Sequence, residues 1–240
     1  MNAFKDICHR TQAFRRLRSI TLTIDFHAPV GDWTRDICSL LEAAPLEVFQ
    51  LYATGASDDV SIPDYFWRSV TATHGPRLKC FSVLRMQMSP TALGIICLQC
   101  IQLERLFVLV DQRDLVSTTI HSTMKLLIIL VQIVVAQLLA LAENLRTLHI
   151  NIAVDSLSSP KDTAIFLTPY CSSTLTHVGC NTQVWQASRK TGHSRLLMQL
   201  GLNQVQRNVC VDGNGEKYTL PTLIPQENPE IPEQFLVVRA

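Results

Sequence analysis

The chain has 240 residues, of which 47% are hydrophobic and 17% are charged, and its 21 Lys and Arg against 20 Asp and Glu give a net charge of +1. This composition argues against a disordered tail, which is poor in apolar residues, and against a coiled coil, which is rich in charged ones. The balanced charge lacks the basic face with which proteins bind nucleic acid, so no nucleic-acid partner is expected. What remains is a rather apolar globular domain that needs a partner surface.

The cysteines indicate a reducing compartment. They stand at positions 8, 38, 80, 97, 100, 171, 180 and 210. Eight in 240 residues is far below the content of small secreted disulfide scaffolds, which exceeds about 8–10%. Residues 1–5 show no signal peptide. We therefore expect a cytoplasmic or nuclear protein that uses cysteine as a small buried residue.

Residues 1–16 are expected to form an N-terminal helix that covers the first of a series of repeats. The repeat has leucine at its first position and apolar residues at its fourth and sixth. Its copies are Leu17–Leu22, Leu46–Leu51, Leu78–Val83, Leu103–Val108, Leu145–Ile150 and Leu175–Cys180. Their first leucines are 29, 32, 25, 42 and 30 residues apart, and four of these spacings lie near the period of leucine-rich repeats, about 20–29 residues.

Each copy predicts one strand, and the stretch after it predicts one helix. The two apolar positions that end the copy are two residues apart, so they point to the same side of a strand. The segment 33–41 has apolar residues at helical spacing, and Ser89 before Pro90 is a typical helix start. A unit of this size cannot bury its apolar face alone, so the units must stack. The predicted fold is α/β, a short leucine-rich-repeat solenoid with a curved, mainly parallel sheet and helices on its outer face.

The end of the repeats divides the chain into two predicted regions. Residues 1–185 form the solenoid, and residues 186–240 form an irregular C-terminal cap and tail. In that second region Ser194–Leu202 is expected to be helical, and residues 208–232 are rich in turns and prolines. Asp212–Gly215 has the composition of a hairpin turn.

An apolar run within the array has three interpretations. Leu126–Ala142 has no charged residue over a length that just reaches the lower limit of a membrane span. Residues 124–142 could thus cross a membrane, although two glutamines interrupt the run and a span would divide the core. Alternatively the run is a buried or additional helix of the array. In the third interpretation, Val116–Gln137 is an accidental insertion, a translated intron, since its removal shortens the anomalous spacing from 42 to 20 residues and leaves Leu138–Leu145 as the repeat helix.

The repeats and several later segments carry a resemblance to a known family. They are Leu46–Leu51, Leu78–Val83, Leu103–Val110, Leu145–Ile152, Leu175–Cys180, Val184 with Trp185, and Asn228–Arg239. Over roughly residues 14–185 and 226–240 the chain resembles the leucine-rich-repeat part of F-box proteins from mushroom-forming fungi. The resemblance implies substrate recognition for a cullin-based ubiquitin ligase. An F-box precedes the repeats in that family, whereas the sixteen residues before Leu17 hold none, so a Skp-type adaptor is expected as a partner only if an F-box lies upstream.

The candidate binding residues are the variable positions of the strands, which line the concave surface of such solenoids. They are Thr21, Gln50, Tyr52, Ser82, Phe107, His149, Asn151 and His177. Tyr52 and Phe107 are expected to be exposed aromatic residues, the type enriched in interface hot spots. The alternative is that all of these are ordinary surface positions.

No motif predicts catalysis, a cofactor or a metal site. Cys97 and Cys100 have the spacing of a metal knuckle, but a zinc site usually needs a second pair, so we expect both thiols in the core. The predicted function is a non-catalytic protein-binding module with a protein partner on its concave face. One alternative is an interaction protein anchored in a membrane by residues 124–142, and another is an enzyme with no recognisable motif.

Overall fold

The computed structural model describes residues 6–8, 11–25, 29–54, 62–110, 124–152, 159–181, 183–188, 201–204, 209–211 and 217–219. The strands are β1 (Ser19–Asp25), β2 (Val48–Thr54), β3 (Cys80–Met88), β4 (Arg105–Val110), β5 (Thr147–Ile152), β6 (His177–Cys180), β7 (Gln183–Ser188), β8 (Gly201–Gln204), β9 (Val209–Val211) and β10 (Lys217–Thr219). The helices are α1 (Val30–Leu41), α2 (Asp64–His74), α3 (Pro90–Gln99), α4 (Met124–Leu139) and α5 (Pro160–Leu167), with short 3-10 helices at Gly75–Arg77 and Thr168–Tyr170.

Strands β1–β8 form one open sheet in which each strand lies beside its neighbour in the chain. The pairs from β1 to β6 are parallel, and β7 and β8 are added antiparallel. Strands β9 and β10 form a separate antiparallel pair. The predicted α/β class with a mainly parallel sheet and helices is confirmed.

The strands begin where the repeat pattern places them. Each of β1–β6 starts two residues after a repeat leucine, as β1 does after Leu17. A backbone contact between repeats sets this point, because the carbonyl of Arg18 accepts hydrogen bonds from the N–H of Glu47 at 2.7 Å and of Val48 at 2.9 Å. The same contact recurs in every later repeat up to β6. The predicted strand starts are therefore confirmed.

One continuous hydrophobic core lies between the sheet and the helices. Alternate residues of the strands enter it, and all five helices contribute to it. Aromatic rings fill its first half, with Phe49 stacked on Phe81 at 5.6 Å between ring centroids and Trp67 meeting Phe81 edge-on at 5.8 Å. Ser89 caps α3 as expected, because its Oγ accepts the N–H of Ala92 at 3.0 Å.

The first repeat is less buried than predicted. The repeat pattern predicts that the two apolar residues at the end of each copy are buried in the core, but Ile20 and Leu22 of the first copy are only half-buried. The reason is that β1 is an edge strand with β2 as its single neighbour, whereas Leu148 and Ile150 in the middle of the sheet are fully buried. The burial of the core residues therefore increases from the edge strand β1 towards the centre of the sheet.

The apolar run supplies a helix that belongs to the array. Helix α4 packs beside α3 and α5, and Val131, Val135, Ala136 and Leu139 are fully buried. The glutamine at position 132, which interrupts the run, donates from Nε2 to Thr163 Oγ1 of α5 at 3.2 Å. This packing agrees with the second interpretation, a genuine buried helix.

Two structural expectations of the insertion hypothesis are corrected by this packing. Leu138–Leu145 does not form the repeat helix, because α4 ends at Leu139 and residues 140–146 are turns and irregular backbone. An accidental insertion ending at residue 137 would also have no partners in the core, whereas Val131, Val135 and Ala136 are fully buried. An intron as the genetic origin of Val116–Gln137 stays a prediction. No helix in the described part of the chain is long and apolar enough to cross a membrane.

Both ends of the chain differ in detail from the predicted elements. Residues 6–8 are helical, but residues 12–16 form a turn, and the rest of the predicted N-terminal helix includes positions outside the described residues. The boundary after residue 185 falls within β7, so the sheet continues past it. Of the helix predicted at Ser194–Leu202, the last two residues instead begin β8 and pair with β7, and residues 194–200 lie outside the described residues. Strands β9 and β10 flank residues 212–216, as a hairpin turn requires, although the turn itself is not among the described residues.

Val135 and Ile133 provide a matched test of the role of α4. Val135 is fully buried, whereas Ile133 is 37% exposed two residues away. Val135→Asp should lower the free energy of unfolding by about 3–5 kcal/mol, because it places an uncompensated charge in the core. Ile133→Asp should cost less than about 1 kcal/mol. Urea unfolding followed by circular dichroism measures both values.

The same packing predicts the effect of a deletion. Removing residues 116–137 takes away all of α4 except Leu138 and Leu139, so it should destabilise the fold rather than raise its melting temperature. Equal, small effects of the two aspartate variants, together with a more stable deletion variant, would show that α4 is not part of the core.

Candidate functional site

All eight predicted binding residues lie on one face of the sheet. In the part of the chain that the structure describes, all five α-helices pack against the opposite face, so we call this one the helix-free face. The register of the strands aligns six of its residues in one row: Thr21, Gln50, Ser82, Phe107, His149 and Gly179. Tyr52, Asn151 and His177 lie two residues from this row along their own strands and hence on the same side.

Part of the helix-free face is accessible to solvent. Thr21 on β1 is exposed, and Gln50 and Tyr52 on β2 are half-buried. Thr21 Oγ1 donates a hydrogen bond to Gln50 Oε1 at 2.8 Å, which joins the two strands through their side chains. Asn151 and His177 are also half-buried. These five are the predicted residues that a partner can reach without rearrangement.

The centre of the same face is buried, which corrects the prediction for Ser82, Phe107 and His149. Phe107 was expected to be an exposed aromatic residue, but it is 1% exposed. It belongs to a small apolar group, the inner cluster, formed by Cys80, Leu84 and Phe107 and flanked by Val48, Tyr52 and Val184. These apolar side chains exclude water from one another, so the alternating pattern predicted their side of the sheet correctly but not their exposure.

His149 is a buried polar group at the centre of this face. Its Nε2 donates to the carbonyl of Asn181 at 2.8 Å, in the turn between β6 and β7. The backbone N–H of Asn181 donates to Asn151 Oδ1 at 2.6 Å. Asn181 has a φ of 53°, a left-handed conformation that asparagine tolerates well. Two side chains of β5 thus hold the turn at which the sheet changes from parallel to antiparallel.

The protonation of His149 suits this role. Burial lowers the pKa of its imidazole from 6.5 to about 4, although the hydrogen bonds with Asn181 and Asn151 act in the opposite direction. The ring is therefore neutral near pH 7. A neutral imidazole with its proton on Nε2 can donate to the Asn181 carbonyl at no cost of burying a charge.

Ser82 is buried beside Phe107 in the central row. Its Oγ has no hydrogen-bond partner among the residues that the structure describes. An unsatisfied buried hydroxyl costs roughly 1–3 kcal/mol of folding free energy. Ser82 consequently lies beneath the surface of this face and is not one of its accessible contacts.

Cys97 and Cys100 are core residues, as the sequence suggested. Each is 1% exposed, and burial raises the pKa of each thiol to about 12. Within the described ranges, no group of three or more His, Cys, Asp or Glu side chains is placed to hold a metal ion.

A second feature was missed by the sequence analysis. The residue after each repeat leucine alternates in charge across β1–β5: Arg18, Glu47, Lys79, Glu104 and Arg146. The Glu47 carboxylate lies 2.9 Å from Arg18 Nη1 and 2.9 Å from Lys79 Nζ. Lys79 and, to a smaller extent, Arg18 lower the pKa of Glu47. The signal was present in the sequence, as a fixed repeat position whose charge changes sign from each of the first five copies to the next.

Comparisons with protein-family models, with curated protein sequences and with solved structures find no match to this chain. The interpretation of the helix-free face therefore rests on its geometry and chemistry.

Gly179 and His149 form a contact that a substitution can test. A Cβ atom at position 179 would overlap the imidazole of His149, at 2.7 Å from Cγ. Gly179→Ala should therefore lower the free energy of unfolding by about 1–3 kcal/mol. When His149→Ala has removed the ring, the same glycine substitution should cost much less. Chemical unfolding of the two single variants and the double variant measures the coupling.

Gly31 offers a matched control, because an added Cβ there has open space around it. Gly31→Ala should be neutral or slightly stabilising, since alanine favours the helix in which it lies. A cost at Gly179 that does not change when His149 is absent would contradict the described contact.

The depressed pKa of His149 predicts a dependence of stability on pH. Between about pH 4 and 6.5 the unfolded chain binds a proton on this histidine and the folded chain does not, so the free energy of unfolding falls as the pH falls through this range. The loss should reach about 3 kcal/mol, at roughly 1.4 kcal/mol for each pKa unit. His149→Gln should reduce this slope in urea titrations at pH 7, 6, 5 and 4.

His74, whose pKa is also lowered by burial, adds a slope that both proteins share. His177→Gln, on the neighbouring strand, serves as the control for loss of a histidine. Identical slopes in the parent chain and in His149→Gln would show that this imidazole is not buried in solution.

Proposed function

We propose that the chain is a non-catalytic protein-binding module, a short leucine-rich-repeat solenoid with a curved sheet that recognises substrates as part of an F-box-type ubiquitin-ligase receptor. The helix-free face carries the proposal: parallel strands stacked in chain order present aligned side chains, and the β1–β2 end is accessible. Proteins built from stacked repeats bind partners on extended surfaces of this kind. The ligase role derives from the resemblance of the repeats, and a Skp-type adaptor would bind an F-box rather than this sheet.

Tyr52 is the proposed centre of the contact. It is half-buried, and it packs beside the inner cluster of Cys80, Leu84 and Phe107. Packing on one side limits the motion of the ring before binding, so less conformational entropy is lost when a partner covers it. Tyrosine also combines a large apolar surface with a hydroxyl group, and it is enriched in hot spots.

The buried residues of the same face have a supporting role in this proposal. Phe107 belongs to the inner cluster against which Tyr52 packs, and His149 holds the turn after β6. A rigid foundation keeps Gln50, Tyr52 and Thr21 in one arrangement, which favours specific over adaptable recognition.

A photo-crosslinking experiment tests this surface. Tyr52 is replaced by the photoreactive residue p-benzoylphenylalanine, and the matched control carries the same replacement at Tyr170, a 47% exposed tyrosine beside the helix layer. We expect a discrete protein adduct from position 52 in a cell extract and none from position 170. Excess unmodified chain should suppress the adduct, whereas excess Tyr52→Ala chain should compete at least about tenfold less well, because loss of a hot-spot residue costs about 2 kcal/mol or more.

Two results would contradict the proposal. One is the absence of any adduct from position 52. The other is the same set of adducts from both positions, which would indicate random encounters rather than a binding face.

A further inference from the structure

A positively charged groove lies at the end of the sheet where the first four parallel strands, β1–β4, begin. It has a volume of about 270 Å³ and is lined by Arg18, Pro45, Glu47, Arg77, Lys79 and Gln102. Each of these residues directly precedes or follows a repeat leucine, from Leu17 to Leu103. The groove is therefore built by the turns of four consecutive repeats, and we call it the edge groove.

The edge groove has an excess of positive charge. Of the residues that the structure describes, three cations and one carboxylate line it, a net charge of +2, whereas the whole chain has +1. Arg18 and Lys79 share the single carboxylate of Glu47, each at 2.9 Å. Arg77 is exposed and makes no ion pair with any described residue. An anionic ligand would complement this charge, and Arg77 could bind it without first breaking a salt bridge.

The backbone fixes the spacing of these cations. The carbonyl of Arg18 accepts the N–H of Glu47 at 2.7 Å, and the carbonyl of Glu47 accepts the N–H of Lys79 at 2.8 Å. Arg18 and Lys79 are consequently two strand spacings apart, about 10 Å, which roughly three residues of an extended peptide can span. A site held in place by main-chain hydrogen bonds loses little entropy when it binds.

The edge groove adjoins the accessible part of the helix-free face. Arg18 and Glu47 directly precede β1 and β2 and are three residues before Thr21 and Gln50, a distance of about 10 Å along an extended chain. A single partner can therefore contact both surfaces. We propose that the edge groove binds an acidic segment, bearing carboxylates or a phosphorylated side chain, of the protein that occupies the helix-free face. This inference rests on the proposed function for the identity of the ligand as a protein.

Fluorescence anisotropy with defined peptides tests the edge groove in the full chain. The probe is a fluorescein-labelled hexaglutamate peptide, and a hexalysine peptide is the negative control. Hexaglutamate should bind, more weakly at 200 mM than at 50 mM salt. Arg77→Gln and Lys79→Gln should each weaken binding about twofold to fivefold, the effect of one exposed charge pair. Arg146→Gln, at the same repeat position as Lys79 but outside the groove, should leave binding unchanged.

A substitution of opposite sign sharpens the test. Glu47→Gln releases Arg18 and Lys79 and raises the net charge of the lining, so it should tighten binding about twofold to fivefold. Glu143→Gln removes an equal charge from an exposed turn outside the groove and should have no effect. A hexaserine peptide with two phosphoserines, titrated in parallel, distinguishes phosphate from carboxylate as the preferred group, and preferential binding of either supports the proposal. Thermal unfolding verifies that every variant is folded.

No saturable binding of either acidic peptide would overturn the inference. So would equal losses in Arg77→Gln, Lys79→Gln and Arg146→Gln, or failure of Glu47→Gln to tighten binding. The crosslink at Tyr52 does not involve the edge groove, so a positive crosslink without peptide binding would overturn this inference alone. Peptide binding without a crosslink would instead contradict the binding role of the helix-free face.

Discussion

The structure depends on one repeated backbone interaction, in which the carbonyl of the residue after each repeat leucine accepts two N–H groups from the next repeat. Glu47 accepts from Lys79 at 2.8 Å and Cys80 at 3.1 Å, and Lys79 accepts from Glu104 at 2.8 Å and Arg105 at 2.9 Å. Because this interaction recurs from β1 to β6, each strand starts at the same point of its repeat, whatever the length of the segment before it. The spacing of the leucines can therefore vary from 25 to 42 residues without any change in where the strands begin.

A fixed register determines what each side chain meets. In β2 and β3, Phe49 and Phe81 stack in the core while the next residues, Gln50 and Ser82, pair on the helix-free face. A slip of one residue in a single strand would exchange these roles, placing Gln50 in the core and Phe49 on the opposite face. The shared carbonyl contact opposes that slip. The helix-free face and the core are thus two consequences of one register, and neither can change without the other.

The repeat pattern predicted strands β1–β6 and the side of the sheet on which their residues lie, because alternation is a local property of the chain. Exposure is not local: the inner cluster, to which Phe107 belongs, is flanked by Val184, which comes from the antiparallel strand β7 far along the chain. The burial of α4 was equally inaccessible, because Val135 and Ile133 differ little in chemistry and only the neighbouring helices distinguish them. At Gly201 and Leu202, pairing with β7 prevailed over a local pattern that suggested a helix.

The alternating charges follow from the same backbone contact. The residue whose carbonyl joins two repeats recurs once per strand, so these residues stand about 4.8 Å apart along the edge of the sheet. Like charges at that spacing would destabilise the sheet, whereas Arg18, Glu47 and Lys79 form a row of opposite neighbours. Arg77 lies on the other side of its leucine, outside this alternating position, and its charge is not balanced by the row. The row of residues that follow the leucines is nearly neutral because its charges alternate. The excess positive charge of the edge groove therefore comes from Arg77, which precedes its leucine and adds a cation to that row.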